Sequence, residues 1–229
     1  MYDSNNSFSR RFLAEVMAAT ALIDKEYSYK LDQAIEVLFD AWKNERWVYI
    51  MGNGGSASTA THLAADLSKT ICEKPGDKGL KAMALVDNIP LVSALTNDWG
   101  WENVYSEQLA NFYVEGGVGI AISVHGGSGK DVAGNWSQNL MKGLQFIKDR
   151  GGKTIGLSGF DGGPMKNLVD VGIVVPVPST PLVEGLHVVL HHLIVFGLKE
   201  KIVEYKRQAT RLLSANQLFS QKKDDGSVY

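Results

Sequence analysis

The chain has 229 residues, 45% of them hydrophobic, with 24 glycines and a single cysteine, Cys72. That suits a soluble α/β core, and one cysteine excludes an internal disulfide and points to a reducing cytoplasm. A net charge of −2 gives no electrostatic reason to bind nucleic acid or an anionic membrane.

Arg10 and Arg11 precede an apolar stretch broken by Glu15, which does not read as a signal peptide. No apolar run approaches the ~20 residues of a bilayer span. Phe8, Phe12, Val16, Ala19 and Ile23 share one helical face, and Leu31, Ile35, Leu38 and Trp42 repeat the pattern. Two N-terminal helices are therefore expected before the first strand, capping the sheet or pairing with another subunit. Strand-like runs follow near 46–51, 81–86, 118–123, 153–157 and 171–176, alternating with helical stretches near 57–71, 101–112, 131–149 and 181–204. The alternation predicts a doubly wound α/β fold, a parallel five-stranded sheet with helices on both faces. The whole chain reads as one domain: N-terminal helices over 1–45, an α/β core over 46–204 and an extension over 205–229, frayed beyond about 218. Ligands of such sheets bind at the carboxyl ends of the strands, here the loops 52–56, 87–98, 124–130 and 158–164.

Gly52-Asn53-Gly54-Gly55-Ser56 lies between the apolar run Trp47–Met51 and a helical stretch. Glycines let a phosphate approach backbone N–H groups, and the helix that follows aims its positive end at the anion. The loop has neither the Gly-Lys-Ser/Thr ending of a P-loop nor the dinucleotide spacing. Ser123-Val124-His125-Gly126-Gly127-Ser128 is a second loop of the same kind. The two could clamp one phosphate with Ser56, Ser123 and Ser128 as hydroxyl donors, or the serines could be helix caps. His62 and Asp66, four residues apart on one helix, suit metal ligation, an orienting carboxylate–imidazole pair or a plain exposed pair. On the last long helix, Glu184, His187 and His191 form one stripe and His192 lies about 80° from Glu184. A polar stripe on an otherwise apolar helix faces a polar cleft or a partner. Asp98 could accept hydrogen bonds from a sugar or cap the helix expected near Trp101.

These residues together resemble the sugar isomerase (SIS) domain family, and within it the sedoheptulose 7-phosphate (phosphoheptose) isomerases. The likeness runs from about residue 10 to 200. It is carried by Gly52–Ser56, His62–Leu67, Thr96–Gly100, Ile122–Ser128, Leu157–Gly163 and the helix bearing Glu184, His187 and His192. The resemblance implies aldose–ketose isomerisation of a sugar phosphate through an enediol. Ser56, Ser123 and Ser128 would bind phosphate, with Asn53, Gly54, Gly55, Asp98, His125 and Glu184 completing the substrate site. Asp66 would be the base and His192 the acid. Some members hold zinc, and the matching positions here are His62, Asp66, Glu184 and His192. Family members are commonly tetramers with sites completed by a neighbouring subunit, so a homotetramer is expected. Five positions depart from the pattern: Val124 and His125 replace a threonine and a serine, Thr70 replaces an arginine, Pro181 an aspartate, and Asp66 is one methylene shorter than the usual glutamate base. Two other readings stand beside the enzyme, a non-catalytic SIS protein that associates with a replication initiator and a phosphosugar sensor.

Overall fold

The computed structural model describes residues 7–131 and 134–224. Five parallel strands form the sheet: β1 (Trp47–Gly52), β2 (Lys81–Ala84), β3 (Val118–Ser123), β6 (Lys153–Gly159) and β7 (Val171–Val175), in the order β2-β1-β3-β6-β7. Each is short, and β3 is buried along its whole length, as a sheet covered on both faces requires. Side chains alternate between two cores. Val48 and Ile50 join the layer made by α1 (Phe8–Lys43), α2 (Gly55–Ala65) and α7 (Thr180–Asp224). Tyr49 and Met51 join the opposite layer with Tyr105 and Leu109 of α4 (Val104–Phe112) and Leu140, Leu144 and Ile147 of α5 (Gln138–Lys148). The chain leaves β1 toward β2 and returns to place β3 on β1's other side, with Gly52 in register with Ile122. The loops after β1 and β3 therefore flank the point where strand order reverses, the crevice where open α/β sheets bind ligands.

Several boundaries differ from the sequence expectation. The two N-terminal helices are one, α1, of 36 residues. The segment between the two apolar patterns contains no glycine or proline, so nothing breaks the backbone ladder, and Asp24, Lys25 and Glu26 remain exposed. The loop expected over 87–98 is mostly helix, α3 (Ile89–Trp99), with Asn88 as N-cap accepting from the Leu91 N–H at 3.2 Å and Pro90 in its first turn. The stretch expected to be helical from 131 starts later, at Gln138. Before it lies a short hairpin, β4 (Lys130–Asp131) and β5 (Gly134–Asn135). At the other end, α7 continues through the part expected to fray and reaches Asp224; the last five residues of the extension lie outside the described residues. Tyr205 explains part of this continuation, since it packs edge-on against Phe39 and Trp42 of α1 at 5.5 and 6.1 Å.

By length and mean hydropathy, residues 180–213 of α7 would pass for a membrane span, contrary to the sequence reading. Half of its most apolar window is buried inside the fold, where Leu186, Leu190, Ile194 and Leu198 meet the sheet and α1. A core helix has the same composition, because both are removed from water.

Candidate active site

The first loop turns at Gly54, whose φ of 55° lies in the left-handed region that only glycine enters freely. It acts as N-cap of α2 without a side chain, which leaves the helix start open to a ligand. Asn53 is fixed by a reciprocal amide pair: its Nδ2 donates to Asn139 at 3.0 Å and its Oδ1 accepts from Asn139 at 2.8 Å. Tyr105 donates its hydroxyl to the Gly52 carbonyl, and burial pushes that phenol up to about 12, so it stays a donor. In the second loop a Cβ on Gly126 would strike the Gly162 carbonyl, which ties the loops after β3 and β6 together. The Met165 N–H donates to the Gly126 carbonyl at 2.9 Å and closes the same junction.

Between these loops lies a recess of about 190 Å³ lined by Asn53, Ser56, Ser123, His125, Ser137 and Glu184, among others. Pockets that enclose whole drug-sized ligands start near ~300 Å³, so this recess suits one end of a sugar phosphate. Ser56 and Ser123 are buried, and Ser123 Oγ lies 3.3 Å from Ser137 Oγ. Ser137, Trp136 and Asn139 were not singled out from the sequence. The residue before α5 takes the left-handed conformation, with φ 56° at Ser137, which turns its hydroxyl into the recess, and no sequence pattern announces that. Ser128 is not in this recess. It lines a second one of about 410 Å³ with Phe160, Asp161 and Pro176–Pro178, and His125 borders both. The His125 ring stands 4.4 Å from Phe160 and 5.3 Å from Trp136, an aromatic partition where the resemblance anticipates a serine. Asp98 lies in the last turn of α3, exposed and bonded to Asn97 at 2.7 Å, and it lines neither recess.

A larger recess, about 840 Å³, lies elsewhere, between α1 and α7 beside Phe39 and Tyr205. The clustered donors line neither loop recess; they come from later turns of the same two helices that carry Ser56 and Glu184, α2 with its continuation and α7. Beyond α2 the helix widens into a π turn, Asp66–Thr70, a form frequent at functional sites. There Asp66 Oδ1 accepts from the Thr70 hydroxyl at 2.8 Å, which fixes the carboxylate. Oδ2 then faces three imidazole Nε2 atoms: His191 at 3.4 Å, His62 at 3.5 Å and His192 at 3.5 Å. The four donor atoms all lie within 4.8 Å of one another. His62 and His192 are about half exposed, Asp66 is partly buried and His191 is fully buried.

This group has a chemical deficit. Asp66 Oδ2 and both ring nitrogens of His191 are buried without a hydrogen-bond partner. Leaving such a polar atom unsatisfied costs about 1–3 kcal/mol. Burial pushes His191 down to about 4, helped by the neighbouring His192 and His62 and opposed by Asp66, so the imidazole is neutral and free to ligate. Ligand atoms about 2.1 Å from a common centre stand about 3.4 Å apart at the corners of a tetrahedron. Asp66 Oδ2 stands at that separation from all three nitrogens, and all four donors lie within 4.8 Å of one another, so the donor set suits a divalent cation once the imidazoles close slightly toward it.

Glu184, expected among those ligands, is not in the group. Its carboxylate lies against Gly55, where a Cβ would come within 2.7 Å of Oε1, and it lines the loop-end recess. His187, on the same helical stripe, is a structural residue. Its Nε2–H donates to the Ser158 carbonyl at 3.0 Å, and burial pushes it down to about 4, so it is neutral. It ties α7 to β6.

A parallel sheet that reverses at β1/β3, with serine loops at the reversal and a carboxylate–histidine group along the same helices, defines a doubly wound α/β protein with a candidate ligand site at the strand ends. The SIS domain family matches residues 11–159, and the chain belongs to that family. It is 36% identical over 185 residues to a phosphoheptose isomerase of Geotalea daltonii, covering 81% of this chain and 91% of that one. It is 42% identical over 161 residues to the lincomycin biosynthesis protein LmbN of Streptomyces lincolnensis; that stretch is 69% of this chain and spans 57% of LmbN. The structure of a phosphoheptose isomerase from Neisseria gonorrhoeae superposes with a TM-score of 0.73 at 27% identity, over 83% of this chain and 96% of that one.

Proposed function

We propose that the protein is a phosphosugar isomerase of heptose biosynthesis that converts sedoheptulose 7-phosphate to an aldoheptose 7-phosphate through an enediol. The observation that carries the reading is the pairing of a serine-lined loop recess with the Asp66–histidine group, both built in part from α2 and α7. The 36% identity to a phosphoheptose isomerase over most of both chains supports the substrate.

The phosphate is bound at the start of α2 by Ser56, Ser123 and backbone donors, and Asn53, held by Asn139, keeps the loop in shape. Asn53, Gly54 and Gly55 shape that binding surface, His125 walls it, and Glu184 accepts from sugar hydroxyls. The extended sugar then reaches toward the histidine group. Isomerisation moves one proton between adjacent carbons and exchanges protons on the neighbouring oxygens. Asp66 accepts the carbon-bound proton, with Thr70 holding the carboxylate in one orientation. His192, about half exposed and 3.5 Å from Asp66, serves the oxygens. A divalent cation in the group, zinc by its nitrogen and oxygen donors, would polarise the carbonyl and favour the enediol. The protein works in the cytoplasm as a homotetramer. Val189, Leu193 and Phe196 support an assembly, since they form an exposed apolar stripe on α7 at helical spacing.

The test is an isomerase assay on a panel of ketose and aldose phosphates, with and without zinc, beside light scattering. Turnover of sedoheptulose 7-phosphate above the other sugars is expected. Binding without turnover of any sugar phosphate would replace the enzyme with a binding protein, and a monomer at micromolar concentration would remove the tetramer.

A further inference from the structure

His191 and Glu184 occupy the same face of α7 but lie two turns apart, about 10 Å along the axis. Glu184 lines the loop recess, and His191 belongs to the Asp66 group. We propose that the cation site of this chain is formed by His62, Asp66, His191 and His192, that His191 is a ligand in place of Glu184, and that the set is complete within one subunit. The inference deepens the isomerase reading and rests on it only for the identity of the sugar.

Three observations carry it. The donor atoms of these four side chains lie within 4.8 Å of one another, and Glu184 is not among them. The His191 side chain is 0% exposed and neither ring nitrogen makes a hydrogen bond, its Nε2 only standing 3.4 Å from Asp66 Oδ2, whereas His187, one turn earlier and equally buried, has the Ser158 carbonyl. A histidine kept for packing alone would be better replaced by leucine, since it brings two polar atoms into an apolar core and satisfies neither. The third observation concerns Glu184 itself. Its carboxylate sits beside Gly55 at the start of α2, in the recess with Ser56, Ser123 and Ser137.

The exchange changes the charge at both ends. A divalent ion held by three neutral imidazoles and one carboxylate keeps a net charge of about +1, where two carboxylates would cancel it. That leaves a stronger pull on a carbonyl oxygen as negative charge develops there. At the other end, Glu184 places a like charge next to the phosphate cradle, which opposes an inorganic anion and leaves a strong acceptor for sugar hydroxyls.

The experiment uses the full chain, stripped by chelator and reloaded with zinc. Zinc affinity is measured by competition with a chromophoric chelator for the wild type, Glu184→Gln and His191→Leu, and the zinc-loaded wild type is examined by X-ray absorption. The expected result is one equivalent of zinc with three imidazole ligands in the wild type. Glu184→Gln should keep zinc affinity within about twofold and bind inorganic phosphate a few-fold more tightly. His191→Leu should weaken zinc more than tenfold. Two imidazoles in the wild-type spectrum, loss of zinc in Glu184→Gln or no zinc bound at all would each overturn the proposal, and the spectrum decides even if His191→Leu does not fold. An active isomerase without zinc removes this inference and leaves the function standing. A zinc-loaded protein that turns over no sugar phosphate does the reverse.

Discussion

At the loop end, polar side chains hold one another: Asn53 with Asn139, Ser123 with Ser137, Tyr105 with the Gly52 carbonyl. At the helix end, about 10 Å along α7, Asp66 Oδ2 and both His191 nitrogens have no hydrogen bond at all. The first region is a preformed cradle, stable without its ligand because its hydrogen bonds are internal. The second is a set of donors assembled at a cost, which only a ligand can recover. On the proposed function, the contrast would separate recognition of the phosphate at the first region from chemistry on the sugar at the second.

The largest effect that would break this contrast is at Asp66. Asp66→Asn keeps the shape, removes the proton acceptor and weakens the cation site. We expect turnover to fall by at least about 100-fold, the scale of general-base catalysis, with phosphate affinity at the loop end nearly unchanged. Zinc affinity measured in parallel separates the ligand role from the base role. Asp66→Glu should retain measurable activity. Wild-type turnover by Asp66→Asn would show that the helix end is not the chemical end.

His187 sharpens the contrast from between the two regions, because it is buried like His191 yet partnered. Its folded-state pKa is depressed to about 4 from 6.5. Above pH 6.5 both folded and unfolded chains hold it neutral. Between 6.5 and about 4 the unfolded chain takes up a proton that the folded chain refuses. Its contribution is therefore lost as the pH falls through that window, by at most about 3 kcal/mol. Urea unfolding at a series of pH values should show this slope in wild type and a flatter one in His187→Gln. Identical slopes would mean the imidazole is not held neutral by the fold.

The strands were legible because runs such as Val118–Ile122 can only be buried on both sides, and the site loops followed from where parallel strands end. The long first helix was not legible as one, since charges at 24–26 look like a boundary, while a helix ends only where its backbone bonds are broken. Helix α3 hid behind Asp87-Asn88 and Pro90, which punctuate a loop and equally well start a helix. Most instructive is α7. Periodicity fixes the angle around a helix but not what each turn meets. It put Glu184, His187 and His191 on one stripe. The fold gives them three different surroundings: the loop recess, the Ser158 carbonyl and the Asp66 group.

A smaller effect tests which recess takes the phosphate. Ser56→Leu fills the 190 Å³ recess at the start of α2 and should weaken inorganic phosphate more than tenfold by calorimetry. Ser128→Leu, across the His125 partition, should weaken it less. The opposite order would move the phosphate to the second recess and dissolve the assignment of recognition to the first loop.

The smallest expected effect is at Thr70, where the resemblance anticipates an arginine. Its hydroxyl donates to Asp66 Oδ1 at 2.8 Å from within the π turn, and it does not line the loop recess. We read it as a positioning residue: it spends one carboxylate oxygen so that the other is aimed at three Nε2 atoms. Outer partners of this kind tune metal affinity by roughly 10–100-fold in buried sites. The Thr70 bond is one of several constraints on Asp66, which puts the expectation near the low end, about tenfold. Thr70→Val removes the hydroxyl at constant shape, and Thr70→Ser restores it. Zinc affinity should fall in the first and return in the second, while inorganic phosphate binding stays at the wild-type level in both. If Thr70→Ser fails to recover what Thr70→Val loses, the methyl group and its packing matter rather than the hydrogen bond, and the Asp66 carboxylate is aimed by the helix alone.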